Sequence, residues 1–154
     1  MDQIDAQTRL DGFLDRFTPA IAALARAIIA RMRARLPGAT IPIYDNYNAL
    51  AVGFGPSEKA SDIIFSVAVF PRWVSLFLTN GPSLDDPAGL LKGDGTRVRH
   101  IVLTGADMLE DPRIEALIAQ ALSRARKPID PAVGGGVVIK SISAKQRPRR
   151  PANG

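Results

Sequence analysis

The chain has 154 residues, of which 46% are hydrophobic and 23% charged, a composition typical of one globular domain and unlike that of a disordered segment. It contains no cysteine, which excludes disulfides, thiolate metal sites and cysteine nucleophiles and favours a reducing compartment. No apolar run approaches the roughly 20 residues that cross a membrane, and the acidic start MDQIDAQTRL lacks the apolar core of a signal peptide. We therefore expect a cytoplasmic protein without a membrane partner.

The formal net charge of +5 is concentrated at the C-terminus. Five basic residues and no acidic residue follow position 139: Lys140, Lys145, Arg147, Arg149 and Arg150. The rest of the chain is therefore neutral. We predict a single domain over residues 1–139 and a basic, disordered tail over residues 140–154, because the proline-rich, polar tail offers little surface to bury.

Two consecutive helices, or one bent helix, are predicted over residues 5–36. Apolar residues recur there every three or four positions, which is the spacing of a buried helical face. The two stripes are Leu10, Phe13, Leu14 and Phe17, then Ile21, Leu24, Ile28, Met32 and Leu36. Thr18 followed by Pro19 is typical of a helix start, since threonine caps free amides and proline suits the first turn.

From residue 40 the apolar period changes to two, which indicates strands. Five segments follow this pattern: IPIYDNY, NALAVGFG, DIIFSVAVF, WVSLFLTNG and RVRHIVL. Only Pro71 and Arg72 separate the third segment from the fourth, which predicts a hairpin and antiparallel pairing. The later segment VGGGVVIKSIS leaves room for one further extended stretch.

A final helix is predicted to begin at Asp111, an N-cap residue followed by Pro112. Arg124, Arg126 and Lys127 are expected in its last turn, where the helix dipole favours cations. We therefore predict an α+β fold, a two-layer sandwich whose antiparallel sheet of about five strands is covered on one face by the N-terminal and C-terminal helices. The main core is predicted to contain Phe65, Val67, Leu76, Leu78, Ile114, Leu117 and Leu122.

The segment GLLKGDGTRVRHI, residues 89–101, is the first candidate binding site. Consecutive amides in its glycine-rich turn can bind an anion. It lacks the Gly-Lys-Ser/Thr sequence and the following helix of a phosphate loop, so a plain turn with solvated cations is the favoured interpretation. The candidate ligand contacts are Lys92, Gly93, Gly95, Arg97, Arg99 and His100. On a strand, Arg97 and Arg99 would share one face and His100 would lie on the other.

The segment YDNYN, residues 44–48, is the second candidate site. Tyr44 and Asp45 could present polar groups in a pocket, while Tyr47 is expected to pack its ring inward. An Asx-type turn with aromatic cover explains the same residues at least as well.

Asp5, Asp11 and Asp15 fall on the helix face opposite the first apolar stripe. Oxygen ligands on such a face could bind a hard cation. Arg9 and Arg16 are interleaved with them and weaken the negative potential, so a solvated face is the favoured interpretation.

Three segments resemble the YdhG-like family, a group of small bacterial domains of largely unknown function: IYDNYNALAVGFG, LFLTNGPSLDDPAGLLKGDGTRVRHI and VIKSISAKQRPRRP. The most specific part, DPAGLLKGDGTRVRHI, is similar to the family's pattern of Asp-Pro, Leu-Leu, a Gly-x-Gly turn and a following Arg. Some relatives are described as frataxin-like iron chaperones, so the resemblance implies an α-β-α order and supplies no established catalytic residues. The first helix departs from the dense acidic ridge of frataxins because its charge is mixed.

The residues contain no arrangement typical of an enzyme. His100 has no cysteine partner for zinc, and neither Ser66 nor Ser75 lies in a Gly-x-Ser-x-Gly sequence. We therefore expect non-enzymatic binding of a small molecule or anion, without a cofactor. The alternatives are iron binding by the aspartates of the first helix and weak contact of the tail with nucleic acid or another polyanion.

Overall fold

The computed structural model describes residues 2–151 and has an α+β fold. Across these residues it contains three α-helices, α1 (Gln3–Asp15), α2 (Pro19–Arg35) and α3 (Pro112–Ser123). Its six strands are β1 (Ile41–Asp45), β2 (Leu50–Phe54), β3 (Phe65–Val69), β4 (Val74–Thr79), β5 (Val98–Leu103) and β6 (Val137–Ile142). They form one sheet in the order β5-β4-β3-β2-β1-β6.

The break between α1 and α2 confirms the prediction of two consecutive helices. Thr18 is the N-cap of α2, with its hydroxyl accepting a hydrogen bond from the amide of Ile21 at 3.4 Å, and Pro19 occupies the first helical position. The start of α3 is also as predicted, because the Asp111 carboxylate accepts a hydrogen bond from the amide of Arg113 at 2.9 Å.

The end of α3 differs from the prediction. The helix stops at Ser123 and Arg124 is its C-cap, so Arg126 and Lys127 lie in the segment that follows the helix. From this segment both residues line the cavity described below.

The sheet is mixed and not purely antiparallel as predicted. The five predicted strands are present and each pairs antiparallel with its neighbour. The sixth strand, β6, follows α3 and pairs parallel with β1. The side-chain amide of Gln3 fixes its start, since it donates to the carbonyl and accepts from the amide of Val137, both at 2.8 Å.

The helices and one face of the sheet enclose a single hydrophobic core. Alternate residues of β3 and β4 point into this core, as the period of two predicts. Six of the seven predicted core residues are buried, and Leu122 is half-buried at the margin. Within the described residues, no helix is long and apolar enough to cross a bilayer.

The C-terminal segment differs from the predicted disordered tail. The expected boundary at residue 139 falls inside β6, and residues 143–151 continue along the domain surface. Arg149 is only 3% exposed and forms an ion pair with Asp45 at 2.9 Å. A buried carboxylate requires a cation, and this requirement is the physical reason the segment packs against the domain. Residues 152–154 of the predicted tail lie outside the described residues.

Candidate functional site

A cavity of about 220 Å³ lies at the strand ends on one side of the sheet, where β3 begins, β4 ends and the chain enters β5. The segment after α3 closes its remaining side. Its polar lining residues are Ser61, Asp62, Thr79, Asn80, Arg97, Arg126 and Lys127. Ile63, Ile64, Ala121 and Ala125 provide the apolar part of the surface.

Asp62 is the buried charged residue of this cavity, with a side chain that is 2% exposed. Its carboxylate accepts a hydrogen bond from the Ser57 hydroxyl at 2.7 Å and lies 3.7 Å from both Arg126 Nη2 and Lys127 Nζ. The hydrogen bond from Ser57 lowers the pKa of Asp62, and the positive charges of Lys127, Arg126 and Lys59 lower it further against the opposing effect of burial. Asp62 is therefore ionised at neutral pH.

The lining of this cavity contains three cations and one carboxylate. The side chains of Arg126 and Lys127 are 78% and 52% exposed, so solvent weakens their pairing with Asp62. Arg97 is exposed and has no acidic partner within 4.0 Å among residues 2–151. The cavity therefore has an excess of positive charge at neutral pH.

The backbone at the cavity places polar groups around this charge. Asn80 has a φ of 61°, an uncommon left-handed conformation, and its amide donates to the carbonyl of Arg97 at 2.8 Å. The Thr79 hydroxyl donates to the carbonyls of Ile63 and Ile64 at 2.8 and 3.0 Å. The exposed side chain of Asn80 adds an amide group, a neutral donor, to the lining.

The glycine-rich segment of the first predicted site forms a loop between the paired residues Lys92 and His100. Gly93 has a φ of 104°, which glycine tolerates, and the amides of Lys92 and His100 donate to each other's carbonyls at 2.8 and 3.0 Å. Arg99 Nε donates to the carbonyl of Gly95 at 3.0 Å. Of this group only Arg97 lines the cavity.

His100 lies on the face of the sheet away from the core. Its ring is 5.0 Å from that of Phe77, and it is half-buried between the exposed Val98 and Val102. The cavity lining that the structure describes contains no histidine, so His100 is not placed to act there.

The second predicted site is separate from the first. Tyr44 lies on β1 and His100 on β5, with β2, β3 and β4 between them. Four strand spacings correspond to roughly 19 Å, so one small ligand does not reach both groups. Tyr47 is 41% exposed, and the Arg147 guanidinium lies over its ring. The expectation that its ring packs inward is therefore wrong.

Asp45 is part of a structural network and is not available to a ligand. Arg149 pairs with its Oδ1 at 2.9 Å, and the side-chain amide of Gln146 donates to its Oδ2 at 3.0 Å. Arg16 Nη1 lies 3.5 Å from Oδ2 and donates to Gln146 Oε1 at 2.7 Å. This network attaches the C-terminal segment to the end of α1 and to β1.

The three aspartates of α1 do not converge. Asp5 and Asp15 are ten residues apart, which is roughly 15 Å along a helix axis. Asp15 forms an ion pair with Arg26 at 2.7 Å, and Asp11 accepts a hydrogen bond from Gln7 at 3.2 Å. Over the described part of the chain, no group of three potential metal ligands from histidine, cysteine and acidic side chains is assembled.

The sequence interpretation missed Asp62, Asn80, Arg126 and Lys127 as site residues. An aspartate directly before the apolar strand IIFSVAV was a usable signal, because such a position is readily buried and then requires cations. The dipole of the predicted helix already accounts for Arg126 and Lys127, so no sequence pattern connects them with Asp62.

In comparisons with known proteins, no protein-family model, no curated protein and no solved structure matches this chain.

Proposed function

We propose that the protein is a non-enzymatic binding module for a small anion, which it binds in the cavity of Asp62, Arg97, Arg126 and Lys127. The observation that supports this most strongly is the charge imbalance of the lining, which contains three cations from two separate segments and one carboxylate. Charge-assisted hydrogen bonds from arginine to phosphate or carboxylate groups are stronger than neutral ones. An anion would give Arg97 the partner that the described protein residues do not provide.

The size and lining of the cavity favour a small ligand. A volume of about 220 Å³ lies below the roughly 300–1,000 Å³ of pockets for drug-sized ligands. Its apolar surface is formed by Ile63, Ile64 and two alanines, which suits a short hydrocarbon part next to the charge. The ligand class is therefore a small phosphorylated or carboxylated molecule.

Asp62 has a positioning role in this proposal. Its carboxylate keeps Arg126 and Lys127 at the cavity and competes with the incoming anion for the same cations. Asp62→Asn removes the competing charge and keeps an oxygen that accepts the hydrogen bond from Ser57. This substitution should therefore strengthen anion binding.

The test is calorimetric titration at neutral pH and low salt with inorganic phosphate as the probe. Arg97→Gln should weaken binding at least about tenfold, because hydrogen bonds to charged groups contribute roughly 1.5–3 kcal/mol. Arg9→Gln is the matched control, since it removes the same charge from an exposed position on α1. Equal binding by the Arg97→Gln and Arg9→Gln variants, or weaker binding by Asp62→Asn, would contradict the proposal.

The family resemblance and the iron-binding alternative have different support. Membership of the YdhG-like family is a proposal that rests on the segment DPAGLLKGDGTRVRHI. The iron alternative loses its main argument, because Asp5 and Asp15 are far apart and Asp15 is paired with Arg26.

A further inference from the structure

An exposed aromatic pair occupies the turn between β3 and β4. Phe70 and Trp73 stack with ring centroids 4.5 Å apart and an interplanar angle of 17°. Val69 and Val74, the residues next to them, are fully buried in the core, so the two rings project from the opposite face of the sheet. Trp73 is 43% exposed, so a large part of its side chain is open to solvent.

The C-terminal segment lies opposite this pair and completes a groove of about 460 Å³. Its aromatic and basic lining residues are Phe70, Trp73, Arg72, Arg147 and Arg150. The described lining contains three arginines, two aromatic rings and three prolines, and no acidic residue. Its volume is within the roughly 300–1,000 Å³ of ligand pockets.

The position of the segment is fixed by contacts outside the groove. The buried Arg149 pairs with Asp45, and the amide of Arg147 donates to the carbonyl of Tyr47 at 2.9 Å. The Arg147 guanidinium lies 5.5 Å from the centre of the exposed Tyr47 ring. A second aromatic surface therefore adjoins the groove and carries a cation.

None of the three arginines has a competing carboxylate among residues 2–151. Neither Arg72 nor Arg147 lies within 4.0 Å of an acidic oxygen in residues 2–151. Arg150 donates to the carbonyl of Arg16 at 3.2 Å, which uses part of its hydrogen-bonding capacity. An anionic partner would not have to displace an internal ion pair from Arg72 or Arg147.

We propose that this groove binds single-stranded nucleic acid, with a base stacked on Trp73 and backbone phosphates contacted by Arg72 and Arg147. Proteins bind single strands by combining aromatic rings with a positively charged groove. Every base has a flat face that can stack on a ring, and every phosphate linkage carries a negative charge. A membrane-binding element would present the apolar face of an amphipathic helix, and no helix contributes to the described lining. The site is separate from the cavity at Arg97.

Trp73 provides a direct measurement, because the chain contains one tryptophan. A short oligothymidine should quench its fluorescence saturably at low salt. Binding should weaken as salt rises, with a logarithmic slope of roughly −1 to −2 if two phosphates are neutralised. An abasic oligonucleotide of the same length should bind more weakly and produce little quenching.

Variants distinguish the contribution of base stacking to binding from that of charge. Fluorescence anisotropy of a labelled oligothymidine measures the binding of each variant. Trp73→Leu should weaken binding by about tenfold, the order expected for one stacked base, and Trp73→Phe should restore most of it. Arg147→Gln should weaken binding and reduce the salt slope by about 0.7, whereas Arg9→Gln should match the unmodified protein.

Several results would overturn the proposal. Equal affinity for the abasic and thymidine oligonucleotides, or no effect of Trp73→Leu, would show that bases are not stacked on the pair. Quenching by phosphatidylserine vesicles or by an oligoglutamate peptide, without quenching by oligothymidine, would assign the groove to a membrane or an acidic peptide.

Discussion

Arg149→Met should destabilise the protein through the carboxylate that it leaves behind. The side chains of Asp45 and Arg149 are 2% and 1% exposed, with 2.9 Å between their charged atoms. Removing one partner of a buried pair costs roughly 3–5 kcal/mol, because the other charge stays in a medium of low polarity. Asp45 would keep Gln146 at 3.0 Å and Arg16 at 3.5 Å, so we expect the lower end of the range, about 3 kcal/mol.

The assay is equilibrium unfolding in urea, supported by thermal unfolding. A loss of about 3 kcal/mol corresponds to a fall in Tm of roughly 6–12 °C for a domain of this size. Lys145→Met is the matched control, since Lys145 is an exposed cation of the same segment. It should change the free energy of unfolding by no more than about 0.5 kcal/mol.

The double variant Asp45→Asn with Arg149→Met should recover most of the lost stability, since no charge remains buried. The pair's own contribution is limited by Arg149 Nε, which is buried without a hydrogen-bond partner among the described residues. The reasoning is refuted if Arg149→Met is as stable as Lys145→Met, or if the double variant is no more stable than Arg149→Met alone.

Three further predictions concern stability. Leu117→Ala should cost roughly 2–5 kcal/mol in urea unfolding, because Leu117 is 2% exposed in the core; a loss below about 1 kcal/mol would mean that α3 buries another face. Hydrogen bonds from the side chain and then the backbone of Arg113 lower the pKa of Asp111 from 3.8 to about 2. The contribution of Asp111 to folding stability is therefore complete above pH 3.8 and is lost as the pH falls through about 2. Asp111→Asn keeps a capping side chain and should flatten the rise in stability across this window, and an unchanged pH profile would contradict the assigned shift. Removing residues 144–154 should destabilise the domain because it deletes both Gln146 and Arg149 from Asp45; a truncated protein with unchanged urea unfolding would show that the segment is not needed.

The sequence predicted those features of the fold that depend on neighbouring residues. Thr18 with Pro19, and Asp111 with Pro112, identified two helix starts because a cap and the amides it accepts from are close in the chain. The parallel pairing of β6 with β1 could not be predicted in this way. Its partner is nearly a hundred positions away, and the choice between two sheet edges depends on the whole packed domain.

The buried network around Asp45 was partly predictable. Asp45 continues the alternation of Ile41 and Ile43, which places it on the core face of β1 and therefore demands a cation. Interpreting Asp45 as a polar group presented to a ligand in a pocket overlooks this requirement. Which cation it pairs with was beyond local reasoning, because Arg149 is 104 residues away and lies among several similar arginines.

The most direct test of anion binding at the Arg97 cavity is a titration with inorganic phosphate followed through the backbone amide resonances of the full chain. Binding there predicts saturable shifts for the amides of Asn80, Arg97 and Lys127, which surround the cavity, and no saturable shift at Gly93 or Gly95. Shifts centred on Gly93 and Gly95 would instead place the anion in the glycine-rich turn. Small, non-saturating shifts spread over all basic residues would contradict a specific anion site.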